Sequence, residues 1–185
     1  MTHKQHAGTL VTGASAIAAA IVAGSLWFAE VNVEGWLLAA RYTARWSFAV
    51  FLAAYLGPAI VRGFGEARTR TAILAFGAVH GIHLGALVTY RIVAGETPPT
   101  TALAVGGLAY ALIVVLVVAE LRRKSGRVLR AVTLHYALAV FVVTYAARLS
   151  STDQYWVGVV GVAMGAAALV VRCTAGFIRK STTPA

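Results

Sequence analysis

The sequence predicts an all-α, polytopic membrane protein: a bundle of six transmembrane helices with both termini cytoplasmic. Three observations predict it. The 185 residues are 59% hydrophobic and 12% charged, with a mean hydropathy of +0.78, whereas about a quarter of a water-soluble domain is charged. Apolar runs of about the 20 residues that a helical crossing needs recur six times along the chain. Lys and Arg fall unevenly on alternate connections between these runs. Six crossings occupy about 120 positions, which leaves a single transmembrane domain over 1–185 and no room for a soluble catalytic domain. No phosphate-cradling glycine loop follows a strand-like stretch. The net charge of +10 in so apolar a chain marks membrane topology and not nucleic-acid binding. With one cysteine, Cys173, the chain forms no internal disulfide and no cysteine metal cluster.

Each run is bounded by charge, proline or glycine. The first, about residues 8–28, is rich in alanine and valine, and only Gly13 and Gly24 weaken its interior. Trp27, Phe28 and Glu30 follow it in place of a small-residue cleavage site, so this segment is expected to be retained and not removed as a signal peptide. A connection with Glu30, Glu34 and Trp36 leads to the second run, about 43–61, which carries Pro58 near its far end, where a kink is tolerated. The third covers about 70–93. Past Gly95, Glu96 and the Pro98-Pro99 pair, the fourth covers about 101–119 and stops at Glu120, Arg122, Arg123 and Lys124. The fifth, about 128–149, and the sixth, about 154–178, are joined by a short turn with Ser150, Ser151, Thr152 and Asp153.

The charge count orients these spans, because cytoplasmic connections hold the excess of Lys and Arg. With the amino terminus inside, the inner face holds Lys4, Arg62, Arg68, Arg70, Arg122, Arg123, Lys124, Arg127, Arg130, Arg172, Arg179 and Lys180. The outer face holds Arg41, Arg45, Arg91 and Arg148. Trp27, Trp36, Trp46 and Trp156 are expected at the outer ends of spans, at headgroup level. The expected location is a bacterial-type cytoplasmic (inner) membrane.

Within the spans the histidines stand out. His3 and His6 belong to the amino-terminal tail and read as solvated. His80 and His83 lie in the third span, in Ala78-Val79-His80-Gly81-Ile82-His83-Leu84, and His135 in the fifth, in Thr133-Leu134-His135-Tyr136. Ionisable side chains at membrane depth face a bundle interior and mark a pathway or a cofactor. Imidazoles from two helices are how a bundle holds a haem iron axially, so the pattern suggests one non-covalent b-type haem. The absence of Cys-x-x-Cys-His excludes the usual covalent attachment. At 1.5 Å per residue, His80 stands about 15 Å above Arg70, His83 about 20 Å above it, and His135 about 12 Å above Arg127, so depth favours His80 as partner of His135. The stripe Gly77, Gly81, Gly85 beside His80, like Gly161 and Gly165 in the sixth span, suits either a flat macrocycle or close helix packing. A cofactor-free bundle in which the histidines bond to carbonyls, Tyr or Thr is the other reading of the same residues. A zinc or copper site is less favoured, because no carboxylate or cysteine lies at matching depth.

Four stretches resemble the ferric reductase-like transmembrane domain family, which includes the haem-binding membrane subunit of the methionine sulfoxide reductase system and the membrane part of NADPH oxidases. Ala40-Arg41-Tyr42-Thr43-Ala44-Arg45-Trp46 is similar to that family's Arg-x-Thr-Gly opening, with Ala44 in place of the glycine. Ile82-His83-Leu84 stands where the family has a Leu-His-Leu haem ligand, after a basic cluster ending at Arg70. Gly126-Arg127-Val128-Leu129-Arg130, followed by Leu134-His135, resembles the family's Gly-x-x-Trp-x-x-Leu-His opening without its tryptophan. Tyr145-Ala146-Ala147-Arg148 lacks the second histidine that many members carry there. The resemblance, from Arg41 to about Arg148, implies His83 and His135 as axial ligands and one haem instead of two stacked haems. It also implies a part in moving electrons.

The expected function is therefore one-electron transfer through a haem held by His135 and by His83 or His80, as a possible oxidoreductase subunit. Arg41, Arg45, Arg91 and Arg148 are candidates to neutralise haem propionates or an anionic partner, or else to anchor at headgroups. The chain offers no flavin or nicotinamide site, so quinol or a separate reductase would supply electrons to another redox partner in or at the lipid bilayer. The alternative is a haem-free scaffold or accessory subunit, or a small carrier. The absence of matching inverted halves weighs against the carrier, and the glycine stripes suit a scaffold.

Overall fold

The structure is a computed structural model that describes residues 3–61 and 64–181, with side chains over 8–61 and 64–175. The side chains of His3, Lys4, His6, Arg62, Arg179 and Lys180, used above as tail or orientation markers, lie outside the described residues. The described chain is helical: α1 (His3–Ala29), α2 (Val33–Ile60), α3 (Glu66–Ala94), α4 (Thr100–Leu121), α5 (Arg127–Ala146), a 3-10 turn (Ala147–Ser150) and α6 (Tyr155–Ser181). Five stretches are long and apolar enough to cross a membrane: Gly8–Ala29, Glu66–Ala94, Thr100–Leu121, Arg127–Ser150 and Tyr155–Ala175. The chain is thus an all-α, polytopic membrane protein. At 28 residues α2 is also long enough, but Glu34, Arg41 and Arg45 in its first half lower its apolarity. The chain divides into two compact units, Met1–Ala54 with Gly65–Ala104, and Tyr55–Phe64 with Val105–Ala185.

In the first unit, α2 begins ahead of its apolar run because Asn32 caps it. The Asn32 side-chain oxygen accepts from the Gly35 backbone N–H at 3.1 Å, the usual N-cap bond, and Glu34 in the first turn complements the helix dipole. Glu34, Trp36 and Arg41 are therefore on the helix and not in a connection. A Cβ at Gly35 would collide with the Glu30 carbonyl, so the α1–α2 turn closes only over a glycine. Trp46 departs from the outer-end expectation. Its indole N–H donates to the Ala14 carbonyl at 3.0 Å, well down α1 from the helix end at Ala29. The α2–α3 core is built of Phe51 against Phe76, edge-on at 5.2 Å between ring centres. Ala39, Ala40 and Ala86 pack together near the other end, with Trp36 and Tyr90 against them, small residues letting the helices approach. α3 ends on Gly95 with φ of 65°, its N–H bonded to Ile92 O and that of Glu96 to Arg91 O, the paired bonds of a Schellman motif.

In the second unit a buried ion pair joins α4 to α5. Glu120, the first of the charged residues that stop the fourth run, is 0% exposed. Its two oxygens accept from Arg130 Nε at 2.5 Å and Nη2 at 2.9 Å, and Arg130 also donates to Ser125 at 2.8 Å. This bidentate geometry is the strong form of the interaction. α4 ends as α3 does, with Arg123 N–H on Glu120 O and Lys124 N–H on Ala119 O, except that the residue at φ 55° is Arg123, where glycine avoids a cost of about 1–2 kcal/mol. On α6, Gly161 lies against the Tyr145 ring, which an added Cβ would strike. Arg172 of α6 donates to the Tyr55 carbonyl and stacks 5.1 Å over the Tyr55 ring, in the turn where Pro58 removes a helix hydrogen bond.

Replacing Glu120 by alanine strands the Arg130 charge, and thermal unfolding in detergent should register a loss of about 3–5 kcal/mol. The E120A/R130A double variant should lose less than the sum of the two single changes; simple additivity would contradict a coupled pair.

Candidate functional site

The candidate residues divide between the units: His80, His83, Arg41 and Arg45 belong to the first, His135 and Arg148 to the second. On α3, His80 and His83 are three residues apart, so both project broadly to one side, with ring centres 5.6 Å apart. Two hydroxyls four residues apart on α2 meet them. Thr43 Oγ1 lies 3.1 Å from His83 Nδ1, and Ser47 Oγ lies 2.8 Å from His80 Nδ1. Sequence reasoning quoted Thr43 only within the Arg-x-Thr-like stretch and did not single out Ser47, although hydroxyls at i and i+4 of a helix are a signal that they share a face.

Proton accounting distinguishes the two imidazoles. Thr43 donates its hydroxyl proton to the Ala39 carbonyl at 2.6 Å, so toward His83 it accepts, and His83 carries its proton on Nδ1 and its lone pair on Nε2. Ser47 is fully buried and makes no backbone bond among the described residues, so its proton goes to His80 Nδ1; the reverse arrangement would bury an unsatisfied donor. His80 then carries its proton on Nε2. It is also the more enclosed ring, 8% exposed and packed at 5.2 Å from Phe76.

His135 is exposed on α5. Its Nδ1 lies 2.7 Å from the Ala131 carbonyl, which can only accept, so here too the proton is on Nδ1 and the lone pair on Nε2. The Tyr55 ring stands edge-on at 5.4 Å and restrains the imidazole plane. A ring N–H held by a carbonyl or a hydroxyl, with the opposite nitrogen left as donor, is the arrangement that ligating histidines use. On this proton accounting His83 and His135 share a held Nδ1–H, and His80 does not. Among the described residues no three His, Cys, Asp or Glu side chains come together as a metal site.

The arginines have different surroundings. Arg91 is ion-paired with Glu96. Arg148 stacks on the Tyr145 ring at 4.9 Å. Arg41 is half-buried on α2. Arg45 stacks on Tyr42 at 4.9 Å, has no carboxylate partner among the described residues, and keeps a buried Nε with no hydrogen bond. It lines a groove of ≈ 640 Å³ with Ile21, Ser25, Tyr42 and Trp46. The two glycine stripes differ as well. Gly161 is packed under Tyr145, whereas Gly81 and Gly85 have nothing within 4 Å of an added Cβ, and Gly81 points about 100° around α3 from His80.

Comparison with known proteins found no family model, no curated relative and no solved structure that matches this chain.

Imidazole 15N spectra should show His83 and His135 protonated on Nδ1 and His80 on Nε2. Ser47→Ala should move the His80 signals and leave those of His83; one shared tautomer for His80 and His83 would contradict the proton accounting.

Proposed function

We propose that the chain is a membrane-embedded b-type cytochrome that passes single electrons through one non-covalent haem, with His135 and His83 as axial ligands. The observation that supports the reading is the hydrogen bonding at Nδ1: in each unit one mid-helix histidine has its Nδ1 held by a local oxygen, Thr43 Oγ1 for His83 and the Ala131 carbonyl for His135, as the non-ligating nitrogen of an iron-bound histidine is held. The resemblance of Ile82-His83-Leu84 and Leu134-His135 to the ferric reductase-like family supports the same pair. His80, with its proton on Nε2, takes a positioning role beside His83. When bound, the haem supplies a reversible one-electron carrier; the protein's part is to hold both imidazoles in a fixed tautomer and to exclude water. Arg45, a cation without a carboxylate partner, is the arginine suited to a propionate.

In this reading all six helices cross a bacterial cytoplasmic membrane, both termini lie in the cytoplasm, and the chain works as an oxidoreductase component. Quinol or a separate reductase delivers the electrons, and another redox protein or small molecule accepts them. A haem-free scaffold is the second reading, favoured by the hydrogen bond each imidazole already has within its own unit.

A reduced-minus-oxidised optical spectrum of the protein from a haem-replete host tests both. The cytochrome reading expects b-type bands in wild type, lost in His135→Ala and His83→Ala, and retained with a shifted potential in His80→Ala. Loss in His80→Ala with retention in His83→Ala would reverse the ligand choice on α3. A well-folded wild type with no Soret band would leave the scaffold as the better account.

A further inference from the structure

Where α4 gives way to α5, four of six consecutive residues are cationic: Arg122, Arg123, Lys124 and Arg127. All four are exposed, and their side chains make no hydrogen bond or ion pair with another described residue. The acid nearest in sequence, Glu120, does not neutralise them, because it is buried and both its oxygens are held by Arg130. The chain thus separates its charges here: one pair is sealed between the helices, and four cations are left on the surface.

The turn itself also bears on the purpose of these charges. α3 and α4 end in the same pair of backbone bonds, and α3 places Gly95 at the left-handed position while α4 places Arg123 there. Glycine is the relaxed residue for that conformation. An arginine in its place gives up turn stability and adds a fourth charge to the cluster. Setting topology needs positive charge somewhere in the connection, but not at the strained position.

The spans ending at Leu121 and starting at Arg127 put the turn at the bilayer surface, the level of lipid phosphodiesters. We propose that the α4–α5 turn is a docking surface for anionic phospholipid, its phosphate oxygens accepting from Arg122, Arg123, Lys124 and Arg127. Charge complementarity selects the occupant: each cation at a membrane surface favours an anionic over a neutral lipid by about fivefold, and a guanidinium presents paired donors that match a phosphodiester. This inference is independent of haem.

The test uses the full chain in nanodiscs of mixed phosphatidylcholine and phosphatidylglycerol, with co-purifying lipid measured by native mass spectrometry. Wild type should retain phosphatidylglycerol severalfold above its share of the bilayer. The enrichment should fall as salt rises from about 0.1 to about 0.5 M, since exposed charges are screened. K124Q/R127Q should lower it. Arg123→Gly should lower it too, while raising the unfolding temperature in pure phosphatidylcholine, where only the turn strain is relieved. Wild type that holds the two lipids in the bilayer ratio overturns the proposal, with no variant needed. So does R122Q/R123G/K124Q/R127Q with undiminished enrichment, and so does binding of an acidic peptide by wild type without lipid enrichment, which would assign the surface to a protein partner.

Discussion

In hydrocarbon a polar group has no water to fall back on, and a hydrogen-bonding atom without a partner inside the chain carries a cost. This constraint accounts for most of the side-chain chemistry of this protein. The hydroxyls of Ser25, Thr71, Thr89, Thr144 and Thr174 all donate to the carbonyl four residues back on their own helix, so each disappears into the backbone ladder. Glu120 cannot do so, and the second unit answers with a bidentate arginine. Trp46 cannot either, and reaches across to a carbonyl of α1. Where the constraint is met locally the helices are free to pack through alanine, glycine and aromatic rings, as Ala39 with Ala86 and Gly161 with Tyr145 do.

The same constraint gives the histidines their character. An imidazole has one proton and one lone pair, and which nitrogen holds which is decided by the group it faces. Thr43 faces His83 with its own proton already committed to Ala39, while Ser47 faces His80 with a proton to give. Two hydroxyls of nearly identical chemistry, one turn apart, thereby give neighbouring histidines opposite polarity. His135 reaches the state of His83 by another route, through the carbonyl of Ala131. That convergence distinguishes the pair His83 and His135 from His80 more sharply than their depth along the helices does.

Much of the fold was legible in the sequence because apolar runs of membrane length report directly on burial in lipid. The start of α2 was less so: Glu34, Arg41 and Arg45 break the apolar pattern, and the helix begins early on the strength of a local cap at Asn32. Glu120 does stand at the end of α4, as its place near Arg122 and Arg123 suggests, but its burial against Arg130 depends on the turn geometry that swings Arg130 back onto it. The histidines were conspicuous at once, but their tautomers depend on partners 33 and 40 residues away, and no spacing rule within α3 contains that information. Trp46 was misplaced because tryptophan favours interfaces on average, whereas a single deep carbonyl acceptor outweighs that preference.

The grip of Arg172 on the Tyr55 carbonyl sets an order on biosynthesis. The two residues are 117 positions apart, so α2 emerges from the ribosome and enters the membrane long before α6 exists. Through that interval the turn around Pro58 lacks the guanidinium that completes it and draws on water, lipid headgroups or the insertion machinery. The second helix is therefore threaded early and finished late, once α6 is in place to hold the turn at Tyr55.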